Sequence, residues 1–497
     1  MIEANKAHTN ELNERGLRFM LKLNHSEYLD KVKACWIGKN IGGTIGGPFE
    51  GKRELLNVTG FTTPKGEPLP NDDLDLQLVW LLAMEDHGPY NLNEHILGEY
   101  WLSYITPNWN EYGFSKANMR MGIMPPMSGE YDNSKWKNSN GAWIRSELWA
   151  CLAPGCPDVA IRYAFADACV DHGMGEGTYG EVFTAALESA AFIEKDIRKL
   201  IDIGLSKLPQ DCRIAKSVRF VIDSYDKHAD WKTVRNKLVE MDSDIGWFQA
   251  PANIAYVILG LLYGEGDFKK SMLYAVNCGD DTDCTASTLG SILGIMHGMR
   301  VIPNDWVAHI GDRIITKTIS GSCYGLAKTC SELTEKVTHM APVVLIANQQ
   351  DVVFTQNPTE IPEGYADSLY GGETCRKLFA RTGYSYDIDF VHTSARVEFS
   401  GEPVIKPNES IEIKIKFVDK IYDQKHLRIS LFLPDGWTAS DYKRDIFMER
   451  MGFEGDECTW TVTVTAGDKV DAVNRVIVEA IPFGRPTPGY IPVTIMG

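Results

Sequence analysis

At 497 residues the chain exceeds a single ordinary core and has room for two to four domains of about 100–200 residues each. Its 44% hydrophobic and 24% charged residues are the balance of a globular protein, which excludes a disordered or membrane-embedded one. A formal charge of −17 excludes non-specific nucleic-acid binding, which is driven by Lys and Arg displacing counterions from phosphate.

Residues 1–24 are polar and lack the apolar stretch of a secretory signal. Apolar runs such as 79–84 and 254–263 fall short of the roughly 20 residues that span a bilayer, so a cytoplasmic protein with no membrane segment is expected. Eleven cysteines, an odd number with no C-x-x-C pair, point to neither a disulfide framework nor a zinc ribbon.

From about residue 27 to 340 apolar residues recur at three and four, and Gly or Pro punctuates the pattern. Helices are predicted over 74–87, 159–170, 179–203 and 253–264. Residues 108–141 break the pattern and read as a long irregular insert, a binding loop or lid or else a solvated excursion. Residues 341–384 read as a connector with one short helix. After it, alternating stretches at 395–399, 410–417, 427–433, 459–465 and 475–481 read as strands. About seven strands over 385–497 predict an antiparallel sandwich of immunoglobulin-like architecture. The expected chain is thus multidomain: helical over 1–340, a connector, then a β-sandwich.

Two small-residue stripes stand out: Ala34, Gly38, Gly42 and Gly46, and Ala286, Gly290, Gly294 and Gly298. Spacing by four puts each stripe on one helix face, where a second backbone can approach closely. Carboxylates flank both stripes. Glu50 follows the first; Asp280, Asp281 and Asp283 open the second; a third group, Asp72, Asp73 and Asp75, opens the helix running to His87. Helix capping accounts for either D-D-x-D cluster alone. Should the clusters converge, their carboxylates repel unless protonated or bridged by a cation. Oxygen-only ligands select magnesium, manganese or calcium over zinc.

Among weaker signals, Arg145 can bind phosphate or pair with Glu147 or Asp171, and His172 can orient a substrate or serve a helix end. Trp143, Tyr131 and Trp136 can stack on a ring or simply pack. A Cys284–His172 nucleophile is disfavoured because the neighbouring acids raise the thiol pKa.

The segment Gly42-Gly43-Thr44-Ile45-Gly46-Gly47-Pro48-Phe49-Glu50 is similar to the GDxxGxPxE segment of ADP-ribosylglycohydrolases. Asn71-Asp72-Asp73 resembles their T-D-D, Asp281-Thr282-Asp283-Cys284 their D-T-D-T, Gly141-Ala142-Trp143-Ile144-Arg145 their GAAMR, and Asp171-His172 their Thr-His. The resemblance covers roughly 28–299. It implies an all-α fold that holds two magnesium ions and cleaves the bond at C1 of an ADP-linked ribose. The implied ligands are Asn71, Asp72, Asp73, Asp281, Asp283 and Cys284. Glu50 is implied as a mobile acid or base, acting with Asp72 and Asp283, and Arg145, His172 and Trp143 as substrate contacts. The implied partner is a small-molecule or protein-linked ribosyl or ADP-ribosyl substrate. Asn71 and Cys284 stand where the family has threonines and Gly43 where it has aspartate. These departures leave open a nucleoside or oligosaccharide substrate, or a binding protein without turnover.

Overall fold

The computed structural model describes residues 20–420, 425–448 and 457–497, so most of the polar N-terminal stretch lies outside the described residues. Helices dominate as far as residue 347. Many begin where a side chain takes over the orphan N–H groups of the first turn: Asn24, Asn71, Asn93, Asp196, Asp230, Asp267 and Thr329 each accept from a backbone N–H two or three residues on. The helix expected over 179–203 is two, Glu176–Ala190 and Ile197–Ser206, because Asp196 caps a fresh start. No described helix is long and apolar enough to cross a membrane.

Two expectations need correction. The insert is not irregular throughout, since it contains the helix Asn110–Met121. Its few apolar residues and internal Gly113 hide the period in sequence. The connector also holds more order than one short helix. The helix Cys330–Ala347 extends into it, and strand β2 (Val352–Thr355) pairs in parallel with β1 (Leu21–Asn24). This small pair ties the two ends of the helical part together.

The C-terminal region is the expected antiparallel sandwich, with nine strands rather than seven among the described residues. They are β3 (Ser385–Asp389), β4 (Thr393–Glu398), β5 (Ser410–Asp419), β6 (Lys425–Phe432), β7 (Thr438–Ala439), β8 (Lys443–Met448), β9 (Glu457–Thr465), β10 (Val473–Pro482) and β11 (Gly489–Met496). One sheet has the order β3-β4-β5-β9-β7 and the other β11-β10-β6-β8. Alternate residues, such as Ile413, Ile415 and Phe417 on β5 and Val476, Val478 and Ala480 on β10, fill the space between the sheets. Ile123 and Met127 of the insert are buried in that same core.

The two glycine stripes explain the helical architecture. Helix His25–Gly46 packs antiparallel on helix Thr282–His297, stripe to stripe. A Cβ on Gly38 would lie 2.3 Å from the carbonyl oxygen of Gly290, and one on Gly46 would lie 2.3 Å from that of Thr282. Only glycine permits this approach, which answers the helix-propensity cost of about 1 kcal/mol per glycine. Thr282 Oγ1 donates to the Gly46 carbonyl at 2.8 Å and fixes the register. The end of the first helix thereby meets the start of the second, and Glu50 meets Asp281 and Asp283.

Candidate active site

Three chain segments converge at one end of the glycine-packed pair: the turn after Gly46, the start of helix Asp72–His87 and the start of helix Thr282–His297. Among the described residues, two groups bring ligand atoms within 4.8 Å of one another: Glu50 with Asp281 and Asp283, and Asp73 with Asp283 and Cys284. Asp283 is common to both. Buried and without a hydrogen-bond partner are Asp73 Oδ2, Asp281 Oδ1 and Asp283 Oδ1. Three carboxylate oxygens without a hydrogen bond in so small a volume, of which Asp73 Oδ2 faces Lys39 Nζ at 3.8 Å, fit a hard divalent cation.

The electrostatics agree. Burial, then the charge of Asp283, pushes the Asp281 carboxyl up, and burial followed by Asp72 does the same to Asp283. Glu50 keeps contact with solvent, yet it is pushed up to about 7 by Asp283, by burial and by Asp72. With no cation beside them, these carboxyls are shifted toward their protonated forms.

The acids divide the work. Asp75 Oδ2 accepts from Lys317 N, Thr318 N and Thr318 Oγ1 at 2.7, 2.8 and 2.9 Å, so it anchors a loop. That loop brings Lys317 Nζ to 3.3 Å from Asp72 Oδ1. Asp280 accepts from Phe248 N at 3.1 Å and Asn253 Nδ2 at 2.9 Å, holding the turn that places Phe248 on the cavity wall. Asn71 is a helix cap, with Oδ1 taking Asp73 N at 2.9 Å and Nδ2 donating to Ser287 Oγ at 3.1 Å. Its amide also fills the space beside Gly43, where a Cβ would lie 2.0 Å from Asn71 Nδ2. The departures at 43 and 71 therefore answer each other: one side chain lengthens into the room the other vacates.

Cys284 donates its thiol to Asp73 Oδ1 at 3.4 Å. Burial, followed by the charges of Asp281 and Asp73, raises the thiol well above its ordinary range, so it is protonated and a poor partner for a hard cation. Lys39, fully buried, lies 2.7 Å from Glu147 and 3.8 Å from Asp73 and balances part of the acidic charge from behind.

A cavity of about 280 Å³ opens over this cluster. Glu50, Asp72, Asp281, Asp283 and Cys284 form one wall. Much of the remaining lining comes from the insert, a second wall of Trp109, Glu111, Tyr112, Ser139, Asn140 and Gly141. Tyr112 Oη reaches Asp72 Oδ2 at 3.4 Å, and Asn140 Nδ2 donates to Asp281 Oδ2 at 2.7 Å. The Glu111 carboxylate is buried against Gly141, where a Cβ would lie 2.2 Å from its Oε1, and its Oε2 has no partner.

The three residues expected to touch substrate stand one layer behind this wall. Trp143 Nε1 donates to Asn140 Oδ1 at 3.0 Å, and His172 Nε2 lies 3.1 Å from Ser139 Oγ. Arg145 is fully buried, with Nε donating to Asp167 at 2.9 Å and Nη2 to Asp171 at 2.7 Å. Sequence reasoning passed over Lys317, Glu111, Tyr112, Asn140 and Phe248. The three adjoining the Gly141 motif or lying in the insert were within reach had the insert been read as a wall; Lys317 and Phe248 carried no signal.

A family model described as ADP-ribosylglycohydrolase matches residues 24–339. An uncharacterized protein of Archaeoglobus fulgidus is 22% identical over 329 residues, covering 61% of this chain and 99% of its own. ADP-ribosylhydrolase ARH3 of Gallus gallus is 21% identical over 332 residues, 56% of this chain and 88% of its own. Among solved structures, a FixG-related protein from Vibrio parahaemolyticus overlaps 22% of this chain and 97% of its own, with 8% identity and a TM-score of 0.18, too low to carry weight. With the family model matching well over half its length, at the motifs that build the carboxylate cluster, the chain belongs to the ADP-ribosylglycohydrolase family.

Proposed function

We propose that this protein is a divalent-metal-dependent hydrolase of the glycosidic bond at ribose C1, releasing ADP-ribose or a related ribosyl group from a protein-linked or small-molecule conjugate. The observation that carries the reading is the set of carboxylate oxygens without a hydrogen bond on Asp73, Asp281 and Asp283 beneath a cavity edged by Glu50. The family membership supports a glycohydrolase, and the name of the chicken relative supports the ADP-ribosyl linkage.

Magnesium, as two ions, is the expected cofactor, with manganese or calcium as alternatives on the same oxygen ligands. Asp281 and Asp283 would hold one ion and Asp73 and Asp283 the second, with Glu50 beside them free to act as acid or base. Bound there, such ions would supply Lewis acidity, polarising ribose hydroxyls and activating water. Glu50, at the exposed edge of the cluster, gives or takes the proton at the reacting oxygen. Asp72, tethered by Lys317 and Tyr112, faces the same space and orients the sugar. A cytoplasmic setting, as the sequence leads one to expect, goes with this reading.

The test is release of free ADP-ribose from ADP-ribosyl-arginine and ADP-ribosyl-serine peptides, with magnesium and then with chelator. Metal-dependent release is expected. Absence of release from protein that binds magnesium by calorimetry overturns the substrate. One observation favours a second reading, a nucleoside or oligosaccharide substrate: among the described residues lining the cavity, Lys317 is the sole Lys or Arg, and it is engaged by Asp72. A hydrolysis screen with nucleosides and glycans separates the two.

A further inference from the structure

The β-sandwich lies outside the family's motifs, and the insert joins it to the cavity. Helix Asn110–Met121 is about 18 Å long at 1.5 Å per residue. Its first turn carries Glu111 and Tyr112 into the cavity wall. Its far end is gripped by the last two strands of the sandwich. Thr494 Oγ1 on β11 donates to the Gly122 carbonyl at 2.8 Å, and Arg475 Nη2 on β10 donates to the Met121 carbonyl at 3.4 Å. Gly122 has φ +95°, and a Cβ there would lie 2.5 Å from Arg475 Nη1, so the grip is backbone against side chain with no room between.

Past the grip, Ile123 and Met127 are buried in the core of the sandwich itself. The chain then returns to the cavity. Asn118 Nδ2 donates to the carbonyls of Ser128 and Tyr131 at 2.9 and 2.8 Å, closing the insert on itself. Asn133 Nδ2 donates to the Asp171 carbonyl at 3.0 Å, and Ser139 and Asn140 complete the wall. One end of a rigid rod thus lies in the sandwich and the other in the cavity. Asp73, Asp281 and Asp283 stand on different helices that the grip does not touch.

We propose that the sandwich is a positioning domain for the cavity wall, with Thr494 and Arg475 as positioning residues that act through helix Asn110–Met121 on Glu111 and Tyr112. The consequence for turnover rests on the hydrolase reading above; the mechanical coupling does not.

The experiment uses the full chain. Thr494→Val keeps the volume and loses the bond, Arg475→Gln shortens the second contact, and Thr494→Ser keeps the hydroxyl as the conservative control. In the Val/Gln double variant, amide exchange is expected to rise about tenfold at 118–124 and also at 113–117 and 138–141, beside the cavity. Magnesium affinity by calorimetry stays within about twofold, and kcat/KM for ADP-ribose release falls about tenfold. Thr494→Ser behaves as the parent. Faster exchange confined to 118–131 overturns the coupling, as does a Thr494→Ser protein that loosens the wall equally. If the parent releases no ADP-ribose, the hydrolase reading fails while the exchange data still decide the coupling.

Discussion

The two walls of the cavity are built on opposite principles. The carboxylate wall stands on the start of helix Asp72–His87 and on two helices packed backbone to backbone through Gly38, Gly42, Gly46, Gly290 and Gly294, with only short hydroxyl side chains such as Thr282 bridging them. The insert wall stands on a single helix and a return loop, steadied at a distance by another domain. On the metal-dependent reading proposed above, rigid packing would suit cation ligands, which tolerate little displacement. A wall carried by an insert can vary in shape while the ligands stay put. On the proposed function, chemistry would fall to one of these parts and selectivity to the other.

This contrast can be broken at several points. The largest effect is expected from Asp281→Asn or Asp283→Asn, each lowering magnesium affinity and turnover by roughly 1000-fold, because a ligand and its charge are lost together. Calorimetry and release assays check this. Lost turnover with unchanged affinity removes the residue from the ligand set. Next is Gly42→Ala, whose Cβ would lie 2.2 Å from Ser287 N. A loss of about 3 kcal/mol is expected from overpacking against backbone, read from the denaturant midpoint. Gly60→Ala, with nothing within 4 Å, serves as the control.

A smaller effect is expected from Asp75→Ala. It frees the Lys317–Thr318 loop and leaves three donors without their acceptor. A fall of about tenfold in kcat/KM with nearly unchanged magnesium affinity is expected of an outer support. Equal loss of affinity would place Asp75 among the ligands.

The smallest effect is on stability against pH in chelator. Glu50 is raised to about 7, and burial raises Asp75 and Asp280 to about 6. Ordinary carboxyls titrate near 4, so between about pH 4 and 7 the folded protein binds more protons than the unfolded chain. This contribution to stability is fully present below about pH 4 and is lost as pH rises through 6 and 7. The Tm of metal-free protein is therefore expected to be a few degrees higher at pH 6 than at pH 8, and excess magnesium should flatten the difference. A metal-free Tm that rises with pH contradicts the protonated cluster.

Much of the carboxylate wall was legible in sequence, because its signals are local and repeated. Glycines spaced by four declare a helix face, and Asp72, Asp73, Asp281 and Asp283 sit at helix starts where cap chemistry is recognisable. The insert wall was not. Helix Asn110–Met121 has little apolar periodicity of its own, and the apolar residues just beyond it, Ile123 and Met127, are buried in the distant sandwich. The roles of Arg145, His172 and Trp143 were likewise hidden: a charged or aromatic residue beside a motif looks the same whether it faces the cavity or supports a neighbour that does.

By itself the sequence determined that this chain has glycine-faced helices, acidic helix starts and a β-rich C-terminal part, because each arises from spacing within one segment. The tertiary structure alone decided that the two stripes face each other and that Asp75 and Asp280 anchor loops. It also decided that Asn71 fills the room beside Gly43 and that the sandwich grips the insert at Gly122. These are distances between residues far apart along the chain, and no local pattern encodes which surfaces will meet.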